Sequence, residues 1–214
     1  MSKSKIADQQ YTLICQLTPN VEQVIQTRVI NIWETKIPTK NDGPVSLDYL
    51  LIDEKGDVVQ AFCEYNQARW IKPLLKKDHI IRMRNFSVLN NLRRYRHAFS
   101  KVIIKITRNT SIKTLDEDFA KIPRTRFDFI GFEVMPSRWP DNVQLSDIVA
   151  QVTVITLPGH RGDGAKAPPR IVLDLKDESG LTTKAAIWDD FGDALNHEEL
   201  LEKSKNGPIL IAMK

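Results

Sequence analysis

The chain has 214 residues, of which 42% are hydrophobic and 27% charged, with a net charge of +4. That length accommodates two modest domains of about 100 residues each, and that balance describes folded, cored protein and excludes a disordered tail. Two cysteines are too few for a disulfide framework or a four-ligand zinc site, so a reducing compartment is expected. No apolar run approaches the roughly 18 residues of a membrane span, and the polar start MSKSKIADQQ lacks the apolar centre of a secretion signal.

In chain order, residues 1–23 read as a loose lead-in. Thr27 to Glu34 alternates polar and apolar side chains as a half-buried strand does. Pro38, Gly43 and Pro44 punctuate the next connection. Ser46 to Ile52 and Asp57 to Cys63 read as a hairpin around Asp53-Glu54-Lys55-Gly56, where Gly56 can supply a positive φ. Asn66 to Lys77 is helix-like but shortened by Pro73. His79 to Val88 and Ala98 to Thr107 are further strands, separated by the basic loop NNLRRYRH. These five strands, with a helix between the third and fourth, define a first domain over residues 24–108.

The connector 109–142 holds Phe127, Phe129, Phe132, Val134 and Trp139, too much apolar surface for a free tether, so it should pack against one or both domains. A second domain, 143–214, follows the same grammar. Asp147 to Thr156 is a β-branched strand, and Pro158 to Pro169 a basic loop rich in glycine and proline. Arg170 to Lys176 pairs through the turn Asp177 to Gly180 with Leu181 to Trp188. Asp189 to Lys203 suits a helix, stopped by Asn206-Gly207-Pro208, and Ile209 to Lys214 starts a fourth strand. A fifth strand is missing, which predicts an open sheet edge.

SLDYLLIDEKGDVVQAFCEY and RIVLDLKDESGLTTKAAIWDD therefore form an approximate internal repeat: strand, acidic turn with glycine, and a strand ending in an aromatic. The fold class predicted is all-β with short helices, two small tandem barrels of which the second is incomplete. Barrels of this kind commonly offer an open face and loops to single-stranded nucleic acid.

The segments LLIDEKGDVVQA, RNFSVLNNLRRYRHAFS, IPRTRFDFIGF and KDESGLTTKAAIWDD, in this order, resemble the plant proteins related to the replication protein A large subunit. The resemblance spans residues 10–214 and covers that subunit's first two DNA-binding OB domains, the second truncated. It implies two five-stranded Greek-key OB barrels, a nuclear single-stranded DNA binder acting in replication, repair, recombination or telomere maintenance, and no enzymatic activity. It also implies smaller replication protein A subunits as partners. In that family each barrel stacks bases on two aromatics, one late in the third strand and one in or after the loop between the last two.

Strand parity assigns those roles to residues of this chain. Lys184 cannot sit in a core, so Thr182, Lys184, Ala186 and Trp188 share the outer face and Leu181, Thr183, Ala185 and Ile187 turn inward. Trp188 matches the family's stacking tryptophan. In the first domain Gln60 marks Val58, Gln60 and Phe62 as the outer face, so Phe62 has the right parity. It lies two residues earlier after the turn glycine than Trp188 does, and Glu64 takes the equivalent place. Tyr95 matches the loop aromatic and is flanked by Arg93, Arg94 and Arg96, suited to phosphates. Arg161 and Lys166, in the second domain's loop, occupy a place where OB proteins clamp a strand, and Lys36 and Lys40 hold the corresponding place in the first. The alternatives are a solvated loop with Tyr95 on the barrel rim, and Trp188 packed on its own helix. Trp70, on a helix beside Ile71 and Leu74, reads as core, and Trp33 and Phe86 are likewise left out of the candidate site.

Scattered histidines and turn carboxylates give no catalytic or metal constellation, so neither enzyme nor cofactor is predicted. The binding partner expected is single-stranded DNA, with no membrane. Two alternatives stand beside it: a protein-interaction module of little nucleic-acid affinity, on the strength of Glu64 and the missing strand, and a single-stranded RNA binder.

Overall fold

The structure, a computed structural model, describes residues 11–36, 43–93, 95–98, 100–116, 121–138, 145–157, 170–188 and 195–213. The chain forms two compact units, one running to Arg126 together with Leu145, the other starting at Phe127.

The first unit contains β1 (Val24–Lys36), β2 (Pro44–Ile52), β3 (Val58–Glu64), β4 (Ile80–Arg84), β5 (Ser87–Asn90), β6 (Val102–Lys105) and β7 (Ser111–Leu115). They lie in the order β5-β6-β3-β2-β1-β4-β7. β1 is long enough to serve two neighbours: Val24 to Arg28 pairs with β4 and Arg28 to Lys36 with β2. The register shifts between Val29 and Asn31, and such a bulge bends the strand and curls the sheet. β3 pairs with β6 in parallel, the other contacts being antiparallel.

The run His79 to Val88, read as one strand, breaks into β4 and β5 at Asn85, whose φ of 58° a short polar side chain tolerates. β7 lies beyond residue 108 and adds a strand to the edge of this sheet. The expected helix is one turn, α1 (Ala68–Ile71), with Pro73 just beyond it. Ala68, Ile71 and Leu75 are buried on one side of it. Trp70, expected in the core, falls between those positions and is 40% exposed, with the Arg69 guanidinium 3.8 Å from its ring centroid.

The second unit contains β8 (Ile148–Thr156), β9 (Arg170–Lys176), β10 (Thr182–Trp188) and β11 (Ile209–Met213), in the order β10-β9-β8-β11 and antiparallel throughout. α2 (His197–Ser204) starts later than the predicted Asp189, where the Asn196 side chain accepts the Glu199 N–H at 3.1 Å. The residues 189–194 lie outside the described ones.

Alternation fills both cores. Leu47, Tyr49 and Leu51 of β2 meet Val59, Ala61 and Cys63 of β3 in one, and Ile171, Leu173 and Leu175 meet Ala185 and Ile187 in the other. Each barrel also receives a residue from the segment ahead of its first strand. Ile14, in the stretch read as a lead-in, is buried in the first core, and Phe132, in the connector, in the second.

The acidic turns hold these two residues in place. The Ile14 N–H donates to Asp53 Oδ2 at 2.8 Å, while Asp53 Oδ1 takes the Lys55 and Asp57 N–H groups. The Phe132 N–H donates to Asp177 Oδ2 at 3.0 Å, while Asp177 Oδ1 takes the Ser179 hydroxyl and the Leu181 N–H. The Ser179 bond, with the backbone donors, holds the Asp177 carboxyl below the usual carboxylate range. Gly56 and Gly180, with φ of 81° and 89°, close the two turns in the left-handed region.

Candidate nucleic-acid interface

Parity in the first barrel is as predicted, since Val59, Ala61 and Cys63 face the core and Val58, Gln60 and Phe62 the other side of β3. That other side is not open. Ile30, Leu50, Ile52 and Ile80 form a second apolar layer with Ala98 from the basic loop and Ile122 from the connector, and Trp33, Val58 and Leu115 pack against it. Buried Arg28 secures this cover by donating to the Ile122 carbonyl at 3.2 Å and to the Asp78 carbonyl at 2.7 Å.

Beside the apolar layer sits a fully buried carboxylate, Asp48. Its Oδ2 accepts from the Thr35 and Ser46 hydroxyls at 2.7 and 2.6 Å, and its Oδ1 from Gln60 Nε2 at 3.1 Å and Arg93 Nη1 at 2.5 Å. The guanidinium carbon of Arg93 lies 4.9 Å from the centroid of the Phe62 ring. Two residues predicted to take a base and a phosphate are thus brought together and engage one another. The Arg93 guanidinium is thus committed to Asp48 and lies over one face of the half-buried Phe62 ring.

Two other residues of the loop turn outward. Tyr95 is 61% exposed and Leu92 90% exposed. Arg96 Nε donates to the Arg93 carbonyl at 3.5 Å, and the Arg96 carbonyl accepts the Leu145 N–H at 2.9 Å. His97 meets Trp33 with ring centroids 4.5 Å apart, and desolvation pulls its imidazole below the usual range. Glu64, at the place equivalent to Trp188, pairs with Lys105 at 2.7 Å.

The second barrel keeps the predicted parity with an uncovered outer side: Thr182, Lys184, Ala186 and Trp188 are exposed, while Thr183, Ala185 and Ile187 are half-buried. Trp188 is 48% exposed at the end of β10. Lys184 pairs with Asp174 at 2.7 Å, a surface contact worth about 0–1 kcal/mol that a phosphate can replace. Leu181, expected inward, is exposed because it closes the acidic turn through its N–H. Arg94, Arg161, Lys166 and Lys40 lie outside the described residues.

The buried Cys63 thiol is pushed up to about 11 by desolvation, which leaves it protonated and unreactive at neutral pH. Among the described residues no three His, Cys, Asp or Glu side chains gather as a metal site would require.

A protein-family model described as Domain of unknown function DUF223 matches residues 16–134, more than half of the chain. The chain belongs to that family. The match takes in all seven strands of the first barrel and the segment that delivers Phe132 to the second. No curated protein matches the chain in sequence. Among solved structures, a replication protein A heterotrimer bound to single-stranded DNA superposes with a TM-score of 0.52 at 15% identity, over 90% of this chain and 44% of that one. The chain therefore spans less than half of the length of that relative. Also similar are a replication factor A related protein from Methanobacterium thermoautotrophicum (TM-score 0.37, 13% identity, 50% of this chain and 93% of that one) and fission yeast Pot1 with single-stranded DNA (0.39, 11%, 51% and 40%). The DUF223 member thus has the fold expected, tandem OB barrels that are all-β with short helices.

Proposed function

We propose that this DUF223 protein binds single-stranded DNA with little regard for sequence and without catalysis. Trp188 carries the reading: a large aromatic standing exposed at the end of a strand whose outer face also presents Lys184. An aromatic face accepts any base, and a nearby cation takes the adjoining phosphate. Tyr95, with Arg94 and Arg96 beside it, serves the same purpose on the first barrel, and Arg161 and Lys166 supply backbone contacts on the second. The fold shared with a replication protein A heterotrimer supports this assignment. We place the protein in the nucleus as a replication protein A large-subunit relative of plant type, acting in replication, repair, recombination or telomere maintenance and assembling with the smaller subunits.

Fluorescence-anisotropy titration with oligo-dT, oligo-U and duplex DNA at two salt concentrations tests this. Preference for oligo-dT with a marked salt dependence supports it. A specific observation favours a second reading, a protein-interaction module: the sheet face of the first barrel is filled by its own chain. Absence of oligo-dT binding at low salt selects that module, and tighter oligo-U binding selects an RNA ligand.

A further inference from the structure

We propose that Asp48 is the positioning residue of the first barrel's nucleic-acid face. Through Arg93 it draws the basic loop down onto β3, sets a guanidinium over one face of the half-buried Phe62 ring, and leaves Tyr95 as the group a strand meets. This rests on the single-stranded DNA reading above.

The geometry supports each step. The Arg93 guanidinium is a planar fork that recognises carboxylate and phosphate alike, and here a buried carboxylate takes it. The same guanidinium lies over the Phe62 ring, on a face a base would otherwise occupy. The loop is fixed on both sides of this contact. Buried Asn91 donates its N–H to the Lys101 carbonyl at 2.8 Å and accepts the Arg93 N–H at 3.2 Å, while Ala98 is buried in the apolar layer and His97 lies against Trp33. Between these anchors Leu92 and Tyr95 are exposed. Arg93, already neutralised by Asp48, adds nothing to the count of phosphates held, so the affinity's salt dependence is set by other cations.

The test uses the whole chain and a labelled oligo-dT at two salt concentrations, together with amide hydrogen exchange of residues 91–98 without DNA. In the wild type, Phe62→Ala leaves affinity within about twofold, and Tyr95→Ala lowers it about 5- to 150-fold, the range of one lost stack. Arg93→Met leaves the slope of log K against log salt unchanged. Asp48→Asn speeds exchange of the loop at least about tenfold, and in that background Phe62→Ala weakens binding about fivefold or more, because the guanidinium no longer holds that face of the ring. A merely structural role for Asp48 would not create that dependence on Phe62. The proposal is overturned by a fivefold loss from Phe62→Ala in the wild type, or by a slope flattened by about 0.7 in Arg93→Met. It is equally overturned by Phe62→Ala remaining neutral beside Asp48→Asn, or by unchanged loop exchange there. Should Asp48→Asn not fold, Arg93→Met, altered at a partly exposed side chain, takes its place in the exchange measurement and in the Phe62 pairing. Should the wild type bind no oligo-dT, the DNA reading falls, and the exchange result alone upholds or overturns the positioning role.

Discussion

Aligning the two repeats in sequence on their turn glycines, Gly56 and Gly180, pairs residues whose contrast explains why one sheet face is covered and the other is exposed. The inward positions agree: Leu47, Tyr49 and Leu51 correspond to Ile171, Leu173 and Leu175, all buried. The outward positions do not. Leu50 and Ile52 correspond to Asp174 and Lys176, and Val58 and Gln60 correspond to Thr182 and Lys184. Apolar side chains on both faces of a strand need two layers, so the first barrel draws in Ala98 and Ile122. Charged and hydroxyl side chains at the same places are content in water, and the second barrel's outer face stays accessible. One backbone repeat thus carries two kinds of outer face, apolar and covered in the first barrel, polar and exposed in the second.

The largest effect should come from the buried charges. Asp48→Ala is expected to destabilise the first barrel by about 3 kcal/mol, the low end of the range for a broken buried pair because Arg93 keeps some solvent. Lys184→Ala, breaking an exposed pair, should cost less than about 1 kcal/mol. Urea unfolding followed by exchange of β2 and β9 amides separates the two, and equal losses would erase the contrast.

Next in size is the apolar cover. Ile122→Ala should cost the first barrel about 2–4 kcal/mol, as truncation of a buried isoleucine does, whereas Leu210→Ala, 72% exposed on β11, should stay within about 0.5 kcal/mol. A neutral Ile122→Ala in the same unfolding experiment would mean that the second layer contributes no stability.

On the binding side, Tyr95→Ala and Trp188→Ala should each weaken oligo-dT binding by about 1–3 kcal/mol with little change in salt slope. A change in slope would identify them as organisers of cations instead of base platforms.

A smaller effect sharpens what the barrels share. Because its folded pKa is depressed, Asp177 contributes stability that is fully present above the unfolded value of about 3.9 and is lost as pH falls through the lower folded value. Asp177→Asn should remove that acid step from the unfolding of the second barrel while leaving the first unchanged. The check is a series of urea melts between about pH 2 and pH 5.

Much of this was legible in the sequence. Alternation and turn glycines located the strands of both hairpins, and Lys184 alone fixed the parity that turns Trp188 outward. The second layer also left a sign, since Leu50-Leu51-Ile52 is apolar on both faces and Leu115 and Ile122 follow downstream. The clamps were hidden for a different reason. Ile14 and Phe132 bind turn aspartates far along the chain, and no local periodicity marks a lone apolar residue ahead of a barrel. Arg93 reads as a phosphate ligand because its neighbours are basic, and its pairing with Asp48 left no sign because an acid inside a strand is seldom buried. Trp70 was misread because a single helical turn is too short for a bulky side chain to reveal its face.

The most direct measurement is one titration of the full chain with oligo-dT, comparing wild type, Phe62→Ala and Trp188→Ala. A covered first sheet and an accessible second one predict affinity within about twofold for Phe62→Ala and a loss of about 5- to 150-fold for Trp188→Ala. Equal losses from the two, or an unchanged affinity in Trp188→Ala, would contradict it.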